Sequence, residues 1–239
     1  MSVQPKKDLL EPFKVALNGL VYTFRTQRHM RFHLYVVLIV MTLGVFFNLR
    51  LRELLVLLFT ISLVLVAEMF NSAIEATVDL VHPHYHPMAK FAKDISAGAV
   101  MITTIIALVV GGLMILGENR WEEIKVNLAA QTLGINIWPR IVVGLFVVFI
   151  VVVIGKGLGS RGQVLKGGLV SGHAAVGFFL ASAILFMSDN VTIAGLAILL
   201  AAIIAQSRWE AKIHSVFELT LGATCGVILG FLLFGLTPK

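Results

Sequence analysis

Seven apolar stretches, most of them close to twenty residues long, run through this chain of 239 residues. A helix needs roughly 20 mostly apolar residues to cross the hydrocarbon core of a bilayer. Inside that core every backbone N–H and C=O must be satisfied within the segment, so such a chain folds as a bundle of spanning helices. The stretches are Phe32 to Asn48, Glu53 to about Asp79 (apolar as far as Ala67), Ile95 to Leu116, Pro139 to Ile154, His173 to Met187, Val191 to Gln206 and Ile213 to Phe234. The Asp189-Asn190 pair predicts a tight hairpin between the fifth and the sixth. Hydrophobic residues at 58% and charged residues at 13% exclude a disordered chain, a coiled coil and an ordinary soluble enzyme. The expected fold class is all-α, a polytopic membrane protein.

Two segments are too polar to span but have helical periodicity. Asp8 to Arg25 places Leu9, Phe13, Leu17, Leu20 and Phe24 on one face, which predicts an amphipathic helix at the interface. Residues 118–137, beginning near the string ENRWEEIKVNL, predict a second amphipathic helix that links two halves, 1–117 and 138–239. Trp121 and Trp138 suit interfacial anchors, and Gly111, Gly112 and Gly222 suit close helix packing. The first thirty residues lack the ordered charge, apolar core and cleavage site of a secretory signal. The single cysteine, Cys225, excludes a disulfide framework and a cysteine metal site. The net charge of +6 is explained by loops at a membrane surface, so no nucleic-acid partner is expected. With the N-terminus cytoplasmic, 13 of the 19 lysines and arginines fall on the cytoplasmic side, which favours that orientation.

The second stretch carries the first chemical signal. Glu68, Asn71, Glu75 and Asp79 lie within an arc of roughly 80° on a helix turning about 100° per residue. A carboxylate inside a span costs about 2.5 kcal/mol or more, so it faces a protein interior and serves a function. Asp79 is read equally well as part of a solvated turn, whereas Glu68 sits among Val66, Ala67, Met69 and Phe70. Acids and an amide on one face suit a hard divalent cation. Lys93 and Asp94, across the loop VHPHYHPMAK, add what a nucleotide phosphate needs. His82, His84 and His86 in that loop are read as solvated residues.

Residues 10–117 resemble the small trimeric integral-membrane lipid kinases, diacylglycerol kinase and undecaprenol kinase. The strings EMFNSAIEATVDL and YHPMAKFAKDISAGAV carry the resemblance, and Tyr85-His86-Pro87 is closer to the undecaprenol branch. The resemblance implies a three-span bundle in a bacterial-type inner membrane, a homotrimer, and transfer of the ATP γ-phosphate to a lipid alcohol with Mg2+. It implies Glu68 as general base, Glu75 as a metal ligand, and Asn71, Asp79, Lys93 and Asp94 as nucleotide-site residues. A second metal-binding glutamate of the family falls at Gln27, whose amide oxygen can ligate magnesium but brings no charge.

In the second half two strings stand out: LVSGHAAVGF, with Ser171, Gly172 and His173, and SRWEAKIHSVFE, with Arg208, His214 and Glu218. Glu218 lies four residues after His214, a spacing that lets an acid orient an imidazole. Lys156, Arg161 and Arg208 suit a phosphate, and the glycines at 167, 168 and 172 allow close backbone approach. Residues 138–236 resemble the type-2 phosphatidic acid phosphatase superfamily in about four spans. Its second motif reads Val170-Ser171-Gly172-His173 here, and its third reads Ser207-Arg208-x5-His214-x3-Glu218. The nearest match to its first motif is Lys156-x4-Arg161, with no proline following. The resemblance implies His214 as a nucleophile forming a phosphohistidine, His173 as general acid and Glu218 as its orienting acid. Lys156, Arg161, Ser171, Gly172 and Arg208 would hold the phosphate of a lipid. The alternative expectation, motivated by Gln27, is that only the second half is active and the first is a trimerising platform.

Overall fold

The computed structural model describes residues 11–46, 49–116, 137–159 and 168–236. The expected amphipathic linker and Arg161 lie outside them. Among the described residues the chain is all helical: α1 (Glu11–Thr26), α2 (Arg28–Phe46), α3 (Leu51–Val81), α4 (Pro87–Leu116), α5 (Ile137–Leu158), α6 (Gly172–Met187), α7 (Val191–Glu210) and α8 (Val216–Gly230), which closes in a π-helical turn, Phe231–Gly235.

Local chemistry sets the ends. Glu53 reaches back from the first turn of α3 to accept the Arg50 N–H at 2.7 Å. Pro87 opens α4, where a missing N–H costs nothing. Asn190 caps α7 by accepting from the N–H groups of Thr192 and Ile193, so the expected Asp189-Asn190 hairpin forms.

Among the described residues five helices are long and apolar enough to cross a membrane: α3, α4, α5, α7 and α8 with its π turn. The sequence reading expected seven. The other two are α2, whose opening turn carries Arg28 and Arg31, and α6, an apolar helix of 16 residues. The length of α3 agrees with the expected stretch, Glu53 to about Asp79. Its apolar part stops near Ala67, but the helix continues to Val81, 31 residues in all. That is roughly 46 Å, against about 30 Å of hydrocarbon. Glu68 stands about 26 Å along it and Asp79 about 42 Å, so the acids climb out of the apolar layer.

The apolar face of α1 packs against the protein. Val21 and Phe24 are buried, Leu17 and Leu20 pack beside them, and only Phe13 of the predicted face within the described residues stays exposed. They pack on α5. Met30, Leu34, Val37 and Met41 continue that seam along α2, at helical spacing. One apolar core therefore joins residues of both halves.

The second half closes on a row of glycines. Gly222, Gly226 and Gly230 face α6 at every fourth residue of α8, and a Cβ at Gly226 would overlap the Ala175 carbonyl oxygen. This realises the packing expected of Gly222, whereas Gly111 and Gly112 of α4 have nothing within 4 Å. Because Gly226 abuts backbone, Gly226→Val is expected to cost about 3 kcal/mol or more, through enforced separation of α6 and α8. Thermal unfolding of the detergent-solubilised protein measures it.

Candidate functional site

In the first half the candidate residues converge where α3 and α4 pack. Glu68 is 3% exposed and Asn71 is also buried. Asn71 holds two neighbours at once: its Nδ2 donates to Glu75 Oε1 at 3.1 Å, and its Oδ1 accepts from Ser96 Oγ at 2.7 Å. Further out, the Lys93 ammonium pairs with the Asp79 carboxylate. Beyond that pair the α3–α4 turn encloses a hollow of about 330 Å³, lined by Asp79, His82, His86, Lys90 and Lys93. The geometry is a ladder. It runs from a buried carboxylate, through an amide-bridged carboxylate, to an exposed ion pair at the lip of a polar hollow.

Two other expected members, Asp94 and Gln27, make no side-chain hydrogen bond to this row among the described residues. Asp94 is exposed on the next position of α4. Gln27 is half-buried at the joint of α1 and α2, its N–H bonded to the Thr23 carbonyl at 2.8 Å. Two neighbours escaped the sequence reading. His29, exposed two residues beyond Gln27, exerts its charge on Glu68. Ser96, buried one turn beyond Lys93, anchors Asn71. Spacing pointed to neither, because each meets α3 only through tertiary packing. His82 and His86 stack at 5.0 Å, and among the described residues no three His, Cys, Asp or Glu side chains converge as a metal cluster. Oxygen donors at Glu75, Asp79 and Asn71 nonetheless suit magnesium, which keeps waters and takes part of its shell from nucleotide phosphates.

The second group gathers at one end of the second half: the C-terminal ends of α5 and α7 and the N-terminal ends of α6 and α8. His214 Nδ1 lies 2.7 Å from Glu218 Oε2. The sequence placed both residues along one helix face. In fact α8 starts after its N-cap Ser215, so His214 lies just before the helix and Glu218 in its first turn. The acid folds back across the helix start, as in a capping box. The turn before it is tight, with Lys212 at φ 54 and the N–H groups of Ile213 and His214 both aimed at the Arg208 carbonyl.

Around this pair stand the other expected residues. Ser171 is 0% exposed, its N–H donates to the Glu218 carbonyl at 3.0 Å, and its Oγ is buried without a partner although it occupies the N-cap of α6. Arg208 Nε is likewise buried and unpartnered. Lys156 is 5% exposed, and Glu218 is the charge that acts on it. His173 is exposed at the first turn of α6, within the fields of Arg208, His214 and Lys156. Gly172 leaves its side of the helix start open, since a Cβ there would meet only Val152 at 3.4 Å. Among the described residues, the cations Lys156 and Arg208, the His214 imidazole and the unpartnered Ser171 Oγ and Arg208 Nε gather at this end.

The two groups lie at the same end of the molecule. Arg25, at the foot of α1, bonds to the C-terminal end of α5, and α2 departs from there. The α3–α4 turn is reached after α2 and α3 have crossed and returned.

Comparison with known proteins bears on the first group. Residues 14–115 match the prokaryotic diacylglycerol kinase family. The chain is 40% identical over 114 residues to a diacylglycerol kinase of Synechocystis, covering 47% of this chain and 65% of that protein. It is 36% identical over 104 residues to an undecaprenol kinase of Bacillus subtilis, covering 44% of this chain and 85% of that protein. It is 42% identical over 53 residues to a diacylglycerol kinase of Escherichia coli, covering 22% and 43%. No solved structure matches the chain.

Proposed function

We propose, for a chain that belongs to the prokaryotic diacylglycerol kinase family through residues 14–115, that the first half phosphorylates a lipid alcohol and the second half removes phosphate from a lipid. The observation that carries the kinase reading is the ladder of Glu68, Asn71, Glu75, Asp79 and Lys93 within the family-matched residues. ATP enters at the hollow beside Lys93, whose ammonium leaves Asp79 for the phosphates. Glu75 and Gln27 would hold magnesium, which would supply charge neutralisation of the phosphates, with Asn71 and Asp79 beside the nucleotide. Asp94 stands at the rim of the nucleotide site. Glu68, set deepest, takes the proton of the lipid hydroxyl. The lipid oxygen bonds to the γ-phosphorus, the bond from that phosphorus to the bridging oxygen breaks, and ADP leaves. Undecaprenol and diacylglycerol are the acceptors the relatives' names suggest.

The observation that carries the phosphatase reading is the buried His214–Glu218 pair surrounded by Lys156, Ser171 and Arg208. Glu218 holds Nδ1, which presents Nε2 to phosphorus. Nε2 bonds to phosphorus as the lipid alkoxide leaves, and His173 gives that alkoxide its proton. Water then cleaves the phosphohistidine, with His173 taking back a proton. Arg161 would join the phosphate cradle.

The protein is a multi-pass membrane protein in this reading, placed in a bacterial-type inner membrane with its N-terminus cytoplasmic. Both sites then face the cytosol and share one lipid pool. The kinase half assembles as a homotrimer, and support comes from α4, whose apolar window is entirely unburied in a single chain.

The experiment is ATP-dependent lipid phosphorylation by full-length protein carrying His214→Ala, with undecaprenol and diacylglycerol offered together with magnesium. A labelled lipid is the expected result and names the acceptor. No label from folded protein rejects the kinase reading.

A further inference from the structure

Arg25 has no part in either reaction above, yet it makes a polar joint between the two halves. The carbonyls in the last turn of a helix lack the N–H groups of a following turn. At the end of α5, Arg25 Nη2 donates to the carbonyls of Lys156 and Gly159, each at 2.7 Å, and Nε donates to that of Gly157 at 3.2 Å. A cation is also favoured there by the helix dipole. Beside it the buried ring of Phe24 fills the notch at Gly157, where a Cβ would overlap the ring.

One of the gripped carbonyls is that of Lys156 itself. On its other side Gly168, at φ +110, lies against the lysine stem, where a Cβ would stand 3.0 Å from Cγ. The Leu169 N–H bonds to the Gly155 carbonyl at 3.3 Å. The backbone of Lys156 is thus clamped between α1 of the first half and the segment leading into α6.

We propose that Arg25 is a positioning residue for the phosphate site of the second half: by holding the α5 carbonyls it sets where Lys156 stands. The kinase half is then a structural part of the phosphatase site. This inference rests on the reading of Lys156 as a phosphate-holding group.

The test uses the full-length chain in detergent, with dioctanoyl phosphatidate as substrate and orthovanadate as inhibitor. Arg25→Ala is expected to raise KM and the vanadate inhibition constant roughly tenfold while changing kcat little, because it misplaces a binding group. Arg25→Lys keeps the charge but loses the fork that spans three carbonyls, and is expected to fall between parent and Arg25→Ala. Adding Arg25→Ala to Lys156→Ala is expected to weaken vanadate no further, since both act through one contact. Phe24→Leu, a milder change at the same joint, is expected to raise KM as well and serves where Arg25→Ala does not fold. A parent chain that releases no phosphate overturns the underlying reading and this inference with it. An active parent with KM and vanadate affinity unchanged in Arg25→Lys and Phe24→Leu overturns this inference alone.

Discussion

Glu68→Gln is expected to lower lipid phosphorylation roughly 10²- to 10⁴-fold, the range of a lost general base and about 3–5 kcal/mol in barrier height. The side chain is 3% exposed and lies deepest in the row of polar groups on α3. In the proposed mechanism the lipid hydroxyl reaches that depth, whereas the nucleotide approaches from the Asp79–Lys93 end. The loss is therefore expected in kcat, with KM for ATP little changed. Lys93→Ala, at the lip, is expected to do the reverse. Steady-state assays with labelled ATP in lipid-supplemented micelles separate the two. Glu68 and its glutamine replacement are nearly isosteric, so folding is preserved. Full activity in Glu68→Gln would exclude it as the base. Equal inactivity of parent and variant would favour the platform role for the first half.

The second large effect is expected at His214. His214→Asn is expected to abolish phosphate release, by about 10³-fold or more, because a covalent intermediate loses its nucleophile. Glu218→Gln keeps the size of the side chain but removes the charge that steadies the imidazole, and is expected to cost on the order of 10²-fold or more. His214 is buried at the helix start, so a second readout is useful. Brief incubation with a phosphate-labelled lipid is expected to leave acid-labile label on the parent chain and none on His214→Asn. Label retained by the variant would move the nucleophile elsewhere. Kinase activity in the same variant is expected to persist, since its candidate residues lie on α3 and α4 whereas His214 lies in the turn between α7 and α8.

The positions of the helices were legible because hydropathy and capping are local properties. A run of twenty apolar residues must bury its backbone polarity in a helix wherever the chain places it. Asn190 and Pro87 likewise act on groups within a few residues of themselves. The common face of Glu68, Asn71, Glu75 and Asp79 needed only helical periodicity, and it is preserved along all 31 residues of α3. The pairing of His214 with Glu218 was visible in their spacing, but its form was not. Spacing alone does not say where a helix begins, and α8 begins between them.

Other features depend on which helices touch. Ser96 reaches Asn71 only because α4 packs on α3, and His29 faces Glu68 only because α2 returns beside it. Arg140, at the start of the stretch Pro139 to Ile154, is buried in the first turn of α5 and donates to the Leu233 carbonyl at 2.6 Å. That carbonyl lies in the π-helical turn that ends α8. The apolar face of α1 was legible from periodicity, but its packing on α5 was not, since an apolar stripe is satisfied equally by lipid or by another helix. Sequence alone determined that the chain is helical and membrane-suited, and which polar residues share a helix face, because those follow from chemistry within a few turns. Tertiary structure decided that the two halves share one core and that Arg25 grips the end of α5, 131 residues away at Lys156, because contacts between distant segments carry no local signal.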